Sequence, residues 1–314
     1  LKMDNFKVAV GFCTYKRLHS LERLFQHLAG TIKAVNEQCV IIVVDNDGND
    51  PAVPQAIDGF AQAHGLDVRY LVETQPGISA ARNAVFTEAE RLGVQFMAML
   101  DDDEWPTDRW LSELLKTQAI NNASIVGGPV RPVFPESARH LEKYARYWSV
   151  QKQSLDGKPF VFCTCNFLVN MHAIAKEPRP LFDEAFGLSG GGDTVFFRKL
   201  FYRGHAMAWS EDAWIYEEVP ASRAGFKWMR QRRFRVGNHA VRWESVNGRG
   251  LRSLIKTIGL TLRLPIYPLF RREPESPFVG WLLEMDKVRG RWASHFGDVF
   301  VEYARPQPGQ KACR

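Results

Sequence analysis

The sequence predicts an α/β fold with a mostly parallel central sheet flanked by helices. Three observations carry that expectation. Short, mostly apolar strand-like runs alternate with helical segments through the first half of the chain, which is the rhythm of a parallel sheet. Two of those runs stop abruptly in acidic clusters, Asp45-Asn46-Asp47-Gly48 and Asp101-Asp102-Asp103-Glu104. In sheets of this kind ligands bind beyond the carboxyl ends of the strands, so both clusters fall where a site belongs.

Taken in order, Lys7–Phe12 reads as a short buried strand. Leu21, Leu24, Phe25 and Leu28 then repeat at the spacing of one helix face. Val40–Val44 is the second strand, residues 51–64 a weaker helix and Val68–Val72 the third strand. The turn pair Pro76-Gly77 introduces a helix over Ile78–Leu92. Phe96–Leu100 is the fourth strand. Thr107 is placed to cap a helix whose inner face carries Trp110, Leu111, Leu114 and Leu115. Further on, Val161–Asn170 reads as one long buried strand, Thr194–Tyr202 as a helix, and Ala206–Trp209 and Trp214–Tyr216 as short strands. Gly225 to Trp243 is a helix with Lys227, Arg230, Arg232, Arg233 and Arg235 set among aromatics. No internal repeat or low-complexity tract is found, and the residues from Pro306 read as a frayed tail.

At 314 residues with 45% apolar content the chain can bury a sizeable core. Its net charge of +6 is unevenly placed. Arg and Lys crowd residues 223–292, whereas acids gather at 45–50, 101–108 and 211–218. A basic C-terminal third suits anionic partners such as diphosphates or acidic lipids. Five cysteines, Cys13, Cys39, Cys163, Cys165 and Cys313, are an odd number without zinc spacing, so a reduced, cytoplasmic chain is expected. Leu1-Lys2-Met3-Asp4-Asn5 reads as no signal peptide. No uncharged apolar stretch reaches the ~18 residues that a membrane span needs.

Four segments bear chemistry. In Asp101-Asp102-Asp103-Glu104 like charges repel, so a fold tolerates the run only in solvent or against a cation. All-oxygen ligands suit Mg²⁺ or Mn²⁺; an acidic turn opening a helix is the other reading. The run Asp45–Asp50 is no EF-hand loop, since Ala56 stands at the twelfth position. Pro76-Gly77-Ile78-Ser79-Ala80-Ala81-Arg82-Asn83 is a small-residue turn into a helix, where backbone amides favour anions. Gly187-Leu188-Ser189-Gly190-Gly191-Gly192-Asp193 is a glycine-rich loop that ends in one carboxylate at a helix start.

Together these pieces resemble family 2 glycosyltransferases. The resemblance rests on Thr14-Tyr15-Lys16-Arg17, Val43-Val44-Asp45, Pro76-Gly77 through Asn83, and Leu100 through Asp103. Phe182-Asp183-Glu184 leading to Asp193, and Arg233-Phe234, complete it over roughly residues 6–240. Within the family the chain is most similar to bacterial enzymes of exopolysaccharide assembly, as in succinoglycan synthesis. The resemblance implies a GT-A nucleotide-diphospho-sugar transferase fold and inverting transfer from a nucleotide sugar, with UDP-glucose the family-level expectation. It implies Asp193 as general base and Asp103 as the ligand of a divalent metal, Mn or Mg. It also implies a donor-binding set of Thr14, Tyr15, Asp45, Gly77, Arg82, Asp101, Asp102 and Arg233, with Asp45 at the nucleobase and Asp101 at the ribose.

Two departures bear on this reading. Gly192 stands where the family usually has Glu, and the Gln-x-x-Arg-Trp element appears as Arg230-Gln231-Arg232-Arg233-Phe234. Processive synthases keep that element and add membrane helices, so transfer of a single sugar is expected. A saccharide on a polyprenyl diphosphate is the expected acceptor, and no nucleic acid is. The alternatives are a metal-dependent nucleotidyltransferase or phosphohydrolase, which would not need Asp193, and a non-catalytic nucleotide-sugar-binding module.

A catalytic domain over 1–243 and an amphipathic helical extension over 244–314 are expected. In the extension Leu254, Ile255, Ile258, Leu262, Leu264, Ile266 and Leu269 mix with Arg252, Lys256, Arg263, Arg271 and Arg272. That blend suits either the anionic inner face of the cytoplasmic membrane or packing on the catalytic domain.

Overall fold

The computed structural model describes residues 6–186, 190–267, 276–298 and 300. Gly187, Leu188 and Ser189 of the glycine-rich loop, and Leu269, Arg271, Arg272, Cys313 and the tail from Pro306, lie outside the described residues. So does the N-terminal pentapeptide. The described residues form two compact units, the first of 6–133, 148–186 and 192–218, the second of the remainder.

In the first unit β1 (Val8–Thr14), α1 (Leu18–Lys33), β2 (Cys39–Asp45), α2 (Ala52–His64), β3 (Asp67–Val72), α3 (Ile78–Arg91) and β4 (Phe96–Leu100) alternate as expected. Then come β5 (Glu104–Pro106), α4 (Trp110–Asn121), β6 (Ile125–Gly127), β7 (Val130–Val133), β8 (Gln153–Leu155), β9 (Lys158–Phe160) and β10 (Asn166–Asn170). The unit closes with α5 (Gly192–Tyr202), β11 (Met207–Trp209) and β12 (Ile215–Glu218). The main sheet has the order β11-β6-β10-β4-β1-β2-β3. Strands β3, β2, β1 and β4 are mutually parallel, whereas β10 runs antiparallel between β4 and β6.

The uncharged runs are explained by burial on both sides, as parallel sheets require. Val8, Val10, Phe12, Ile41 and Val43 pack with Leu21, Leu24, Phe25 and Leu28 of α1 and with Trp110, Leu111 and Leu114 of α4. Ala9, Val40, Ile42 and Val44 pack on the other face with Val85 and Phe86 of α3 and Phe196 of α5.

Two local expectations need correcting. Thr107 does not cap α4, whose N-cap position is Arg109; its hydroxyl donates instead to the Trp214 carbonyl, because β5 pairs there with β12. Val161–Asn170 is not one strand either. Only Asn166–Asn170 joins the sheet, and Val161 is buried by packing without ladder bonds. Asn166 marks the change. Its amide donates to the carbonyls of Pro129 and Ala213 at 2.9 and 2.8 Å, and its oxygen accepts the Trp110 indole N–H at 2.8 Å.

The second unit is built on α6 (Phe226–Val246), α7 (Gly250–Arg263) and α8 (Pro277–His295). Residue 243, where the sequence reading divides the chain, falls inside α6. Helices α6 and α8 touch backbone to backbone. A Cβ on Gly237 would lie 1.9 Å from the Lys287 carbonyl oxygen, and one on Gly290 would lie 1.9 Å from that of Phe234. Beside this contact Arg291, 1% exposed, pairs with Glu244 at 2.7 Å. Burial pushes the Glu244 carboxyl up. The Ser253 hydroxyl and the Arg291 and Lys256 charges outweigh that and hold it below its usual 4.5.

Asn166→Leu should remove three buried hydrogen bonds and leave their partners unsatisfied, losing about 2–3 kcal/mol in urea unfolding. Glu244→Gln should cost about 3 kcal/mol at neutral pH by stranding the Arg291 charge. Because the folded carboxyl titrates below the unfolded one, its stabilisation is present above about pH 4.5 and is lost as pH falls through the folded value. Denaturation from pH 7 to 3 should therefore show a shallower acid decline in the variant.

Candidate active site

The parallel register sets the strand ends level. Thr14 pairs with Asp45 and Asp45 with Val72, while Leu100 of the neighbouring strand leads directly into the acidic run. The chain just beyond β1 is strained, since Lys16 holds a left-handed φ of 56°, a conformation that concentrates at functional loops.

Asp45 is buried, and one carboxylate oxygen accepts the Tyr70 hydroxyl at 2.9 Å while the other accepts the Asp47 amide. Burial first, and then the Asp45 charge, push the Tyr70 hydroxyl up to about 12. Asn46 ties the end of β2 to the turn before α3. Its amide donates to the Glu73 and Gln75 carbonyls at 2.7 and 2.8 Å, and its oxygen accepts the Gly77 N–H at 3.1 Å. Gly77, at φ 123°, takes a conformation that side chains rarely adopt. The rest of the second acidic cluster folds onto itself. Asp47 accepts from Asn49 and Asp50 accepts the Ala52 amide, which makes that part a turn and a helix start.

The turn before α3 also fastens the segment leading to Asp193. Gln75 donates to Glu184, Ser79 to the Asp183 carbonyl, and Asn83 exchanges two bonds with the Phe182 backbone. Gly192 is buried there, where an added Cβ would meet Ser79 Oγ at 3.3 Å and Phe186 Cβ at 3.4 Å. The Glu that the family usually carries at this place would crowd both. Asp193 follows on the first turn of α5, half-buried, and accepts the Thr194 amide.

Each acid of the run has its own surroundings. Asp101 keeps 40% of its side chain open, 3.6 Å from Arg82. The mass of surrounding protein pushes its carboxyl up, Arg82 opposes, and the charges of Asp103 and Asp193 push it further. Asp102 is buried, bonded to the Thr14 hydroxyl and to Arg17, both at 2.9 Å. Burial raises it to about 6 against the pull of Arg17. Asp103 accepts Arg17 through Oδ2 at 2.8 Å, leaving Oδ1 without a hydrogen bond among the described residues. Glu104 is turned inward, 2% exposed, and accepts the Asp101 amide at 2.6 Å. Burial and the charges of Asp101 and Glu217 push it well above its usual 4.5.

Thr14, Arg82, Asp101, Asp102, Asp103 and Asp193 are thus gathered at one edge of the first unit, with Asp45 and Gly77 on the adjoining strand end and turn. Tyr15 is partly exposed beside Lys16. Arg233 belongs to the second unit, where it pairs with Glu284 at 2.9 Å. Sequence reasoning missed Arg17, Asn46, Tyr70 and Glu104 as site residues. Arg17 stands in the quoted Thr14–Arg17 motif and Asn46 follows Asp45, so position could have flagged those two. Nothing in the sequence marks Tyr70, and Glu104 stands out only as the last member of the acidic run, not as a residue with a separate place.

Among the described residues no three His, Cys, Asp or Glu side chains form a ready metal cage. The donor set still fits a hard divalent ion. Such ions are held by one or two carboxylates with waters and substrate phosphates completing the shell, and Asp103 offers one unbonded oxygen.

Known proteins resemble the chain in sequence and in fold. The profile of Glycosyl transferase family 2 matches residues 10–177. The succinoglycan biosynthesis protein ExoM of Rhizobium meliloti is 32% identical over 249 residues, 79% of each chain. Glycosyltransferase AglE of Haloferax volcanii is 26% identical over 55% of this chain and 54% of its own. Among solved structures, a mannosyltransferase of Pyrobaculum calidifontis in complex with GDP-Man and Mn²⁺ superimposes with a TM-score of 0.59 at 15% identity, covering 93% of this chain and 88% of that one. The likeness in structure shows the GT-A fold, and with the profile and the identity to ExoM the chain belongs to glycosyltransferase family 2.

Proposed function

We propose that the protein transfers a single sugar, with inversion, from a nucleoside diphosphate donor to a saccharide acceptor in exopolysaccharide synthesis. The observation that best supports this is the gathering of Asp101, Asp103 and Asp193, with Arg17 and Arg82, where parallel strands end. UDP-hexose, UDP-glucose first, is the proposed donor, and a saccharide on a polyprenyl diphosphate at the inner face of the cytoplasmic membrane the proposed acceptor. Of the proteins that share the fold, the mannosyltransferase holds GDP-Man and S. aureus TarS holds UDP-GlcNAc, so the donor assay includes both bases.

In this reading Asp193 takes the proton of the acceptor hydroxyl as its oxygen bonds to the anomeric carbon. The bond from that carbon to the diphosphate breaks, and its electron pair leaves with the nucleoside diphosphate. General-base help of this kind is worth about 10²–10⁴ in rate. Asp45 and Gly77 border the nucleoside, with Thr14, Tyr15, Arg82, Asp101 and Asp102 along the donor. A divalent cation, Mn or Mg, bound by Asp103 would neutralise the charge collecting on the diphosphate. Arg17 holds the Asp102 and Asp103 carboxylates together and limits their repulsion, which keeps Asp103 aimed in one direction.

Incubation with UDP-, GDP- and dTDP-sugars should release nucleoside diphosphate; release of pyrophosphate would instead mark a nucleotidyltransferase. Asp193→Asn should cut transfer by about 10²–10⁴-fold while leaving the donor's thermal shift within a few tenths of the wild-type value. Near wild-type transfer by that variant would refute the assignment of the base. Asp103→Asn should abolish the extra thermal stabilisation that Mn²⁺ gives in the presence of UDP, with transfer lowered about 10²–10³-fold.

A further inference from the structure

Helix α7 is amphipathic inside out. At 100° per residue, Leu251, Ile255, Ile258, Leu262 and Ile266 of the turn that follows share an arc of about 80°. All five are exposed, at 73, 61, 43, 73 and 44%. The opposite face carries hydroxyls and is the buried one. Ser253 and Thr257 are 1 and 0% exposed. Ser253 donates to Glu244, Thr257 accepts from Arg291 at 2.8 Å, and Thr261 accepts the Trp292 indole N–H at 3.0 Å. A helix made for water turns its apolar stripe toward the core. Here the core side holds three hydroxyls facing an ion pair, with Leu260 and Leu264 half-buried beside them, and a separate aliphatic stripe is left outside.

Charge says what covers it. Arg252, Lys256 and Arg263 fall within about 40° of one another, beside the apolar arc, and all are exposed. The helix carries no Asp or Glu. A second copy would therefore lay one cationic helix against another, whereas an anionic lipid surface meets both the stripe and its flank. At the far end Phe278, 64% exposed, stacks on Trp281 at 6.0 Å, and the Trp281 indole N–H donates to the Leu264 carbonyl at 3.0 Å. That sets Trp281, a residue type that sits at the headgroup level of a bilayer, beside the last turn, with the apolar Phe278 ring stacked on it.

We infer that the α7 ridge lies in the surface of an anionic bilayer, with Leu251, Ile255, Ile258 and Leu262 in the acyl boundary and Arg252 and Arg263 at the phosphates. The inference does not depend on the transfer reaction, because partition to lipid is measured without substrate.

Sedimentation of the full chain with vesicles tests it. Wild type should pellet with phosphatidylcholine vesicles containing phosphatidylglycerol and stay largely in solution with phosphatidylcholine alone. Leu251→Ser with Ile255→Ser and Leu262→Ser should weaken vesicle binding about tenfold or more, with the melting temperature and the UDP-induced shift unchanged, since the three side chains touch solvent. Arg252→Gln with Arg263→Gln should weaken it by about 30-fold and remove the preference for the anionic lipid. Wild type that fails to pellet, a triple serine variant that pellets as wild type does, or a wild-type dimer that the same variant converts to monomer would each overturn the assignment.

Discussion

Four acids in succession at the end of one strand repel each other. The chain answers with two guanidinium groups from distant segments and with unequal burial. Arg17 spans Asp102 and Asp103, and Arg82 stands by Asp101. Glu104 is sent inward to bond a backbone amide. What results is a graded set: Glu104 buried deep, Asp102 tied to Thr14 and Arg17, Asp103 largely covered with one oxygen on Arg17, and Asp101 the most open. A folded protein keeps such a crowd of like charges only against compensating cations. The architecture of strands, turns and fastened loops serves to hold that arrangement in place.

The fold was legible wherever burial on both faces left a continuous apolar run. Val40–Val44 and Phe96–Leu100 could be read because no charge interrupts them. Strands β5, β6 and β7 escaped because three or four residues hold too little of a period, and their pairing is set by partners distant in sequence, as Glu104–Pro106 is by Ile215–Glu217 and Gly127 by Phe167. Val161 to Cys165 misled for the opposite reason, being apolar through packing without joining the ladder. At the site, Asp45 ends β2 and the run from Asp101 follows β4 directly, which is where the strand pattern put those acids. Arg17 was missed because its partners lie 85 and 86 residues on. Glu104 was read with its neighbours as one acidic run, although it alone turns into the protein.

The departure at Gly192 has a local cause. The residue is the first of α5, packed against Ser79 and Phe186, and that packing belongs to the hydrogen-bonded fastening that runs from Asn46 through Gly77 to Phe182. The glycine that interrupts the usual family pattern leaves room for that fastened segment, since an added Cβ would press on Ser79 and Phe186. Asp193 keeps its place one residue later.

In the second unit the closest approach is made by main chain, at Gly237 and Gly290 on helices α6 and α8. With each glycine nearly in touch with the opposite helix's carbonyl, their separation is fixed by peptide groups, so the surrounding side chains can drift in size without resetting it. A relative that bears any larger residue at either place must hold its two longest C-terminal helices farther apart. Those two positions therefore report, from sequence alone, whether a homologue shares this packing.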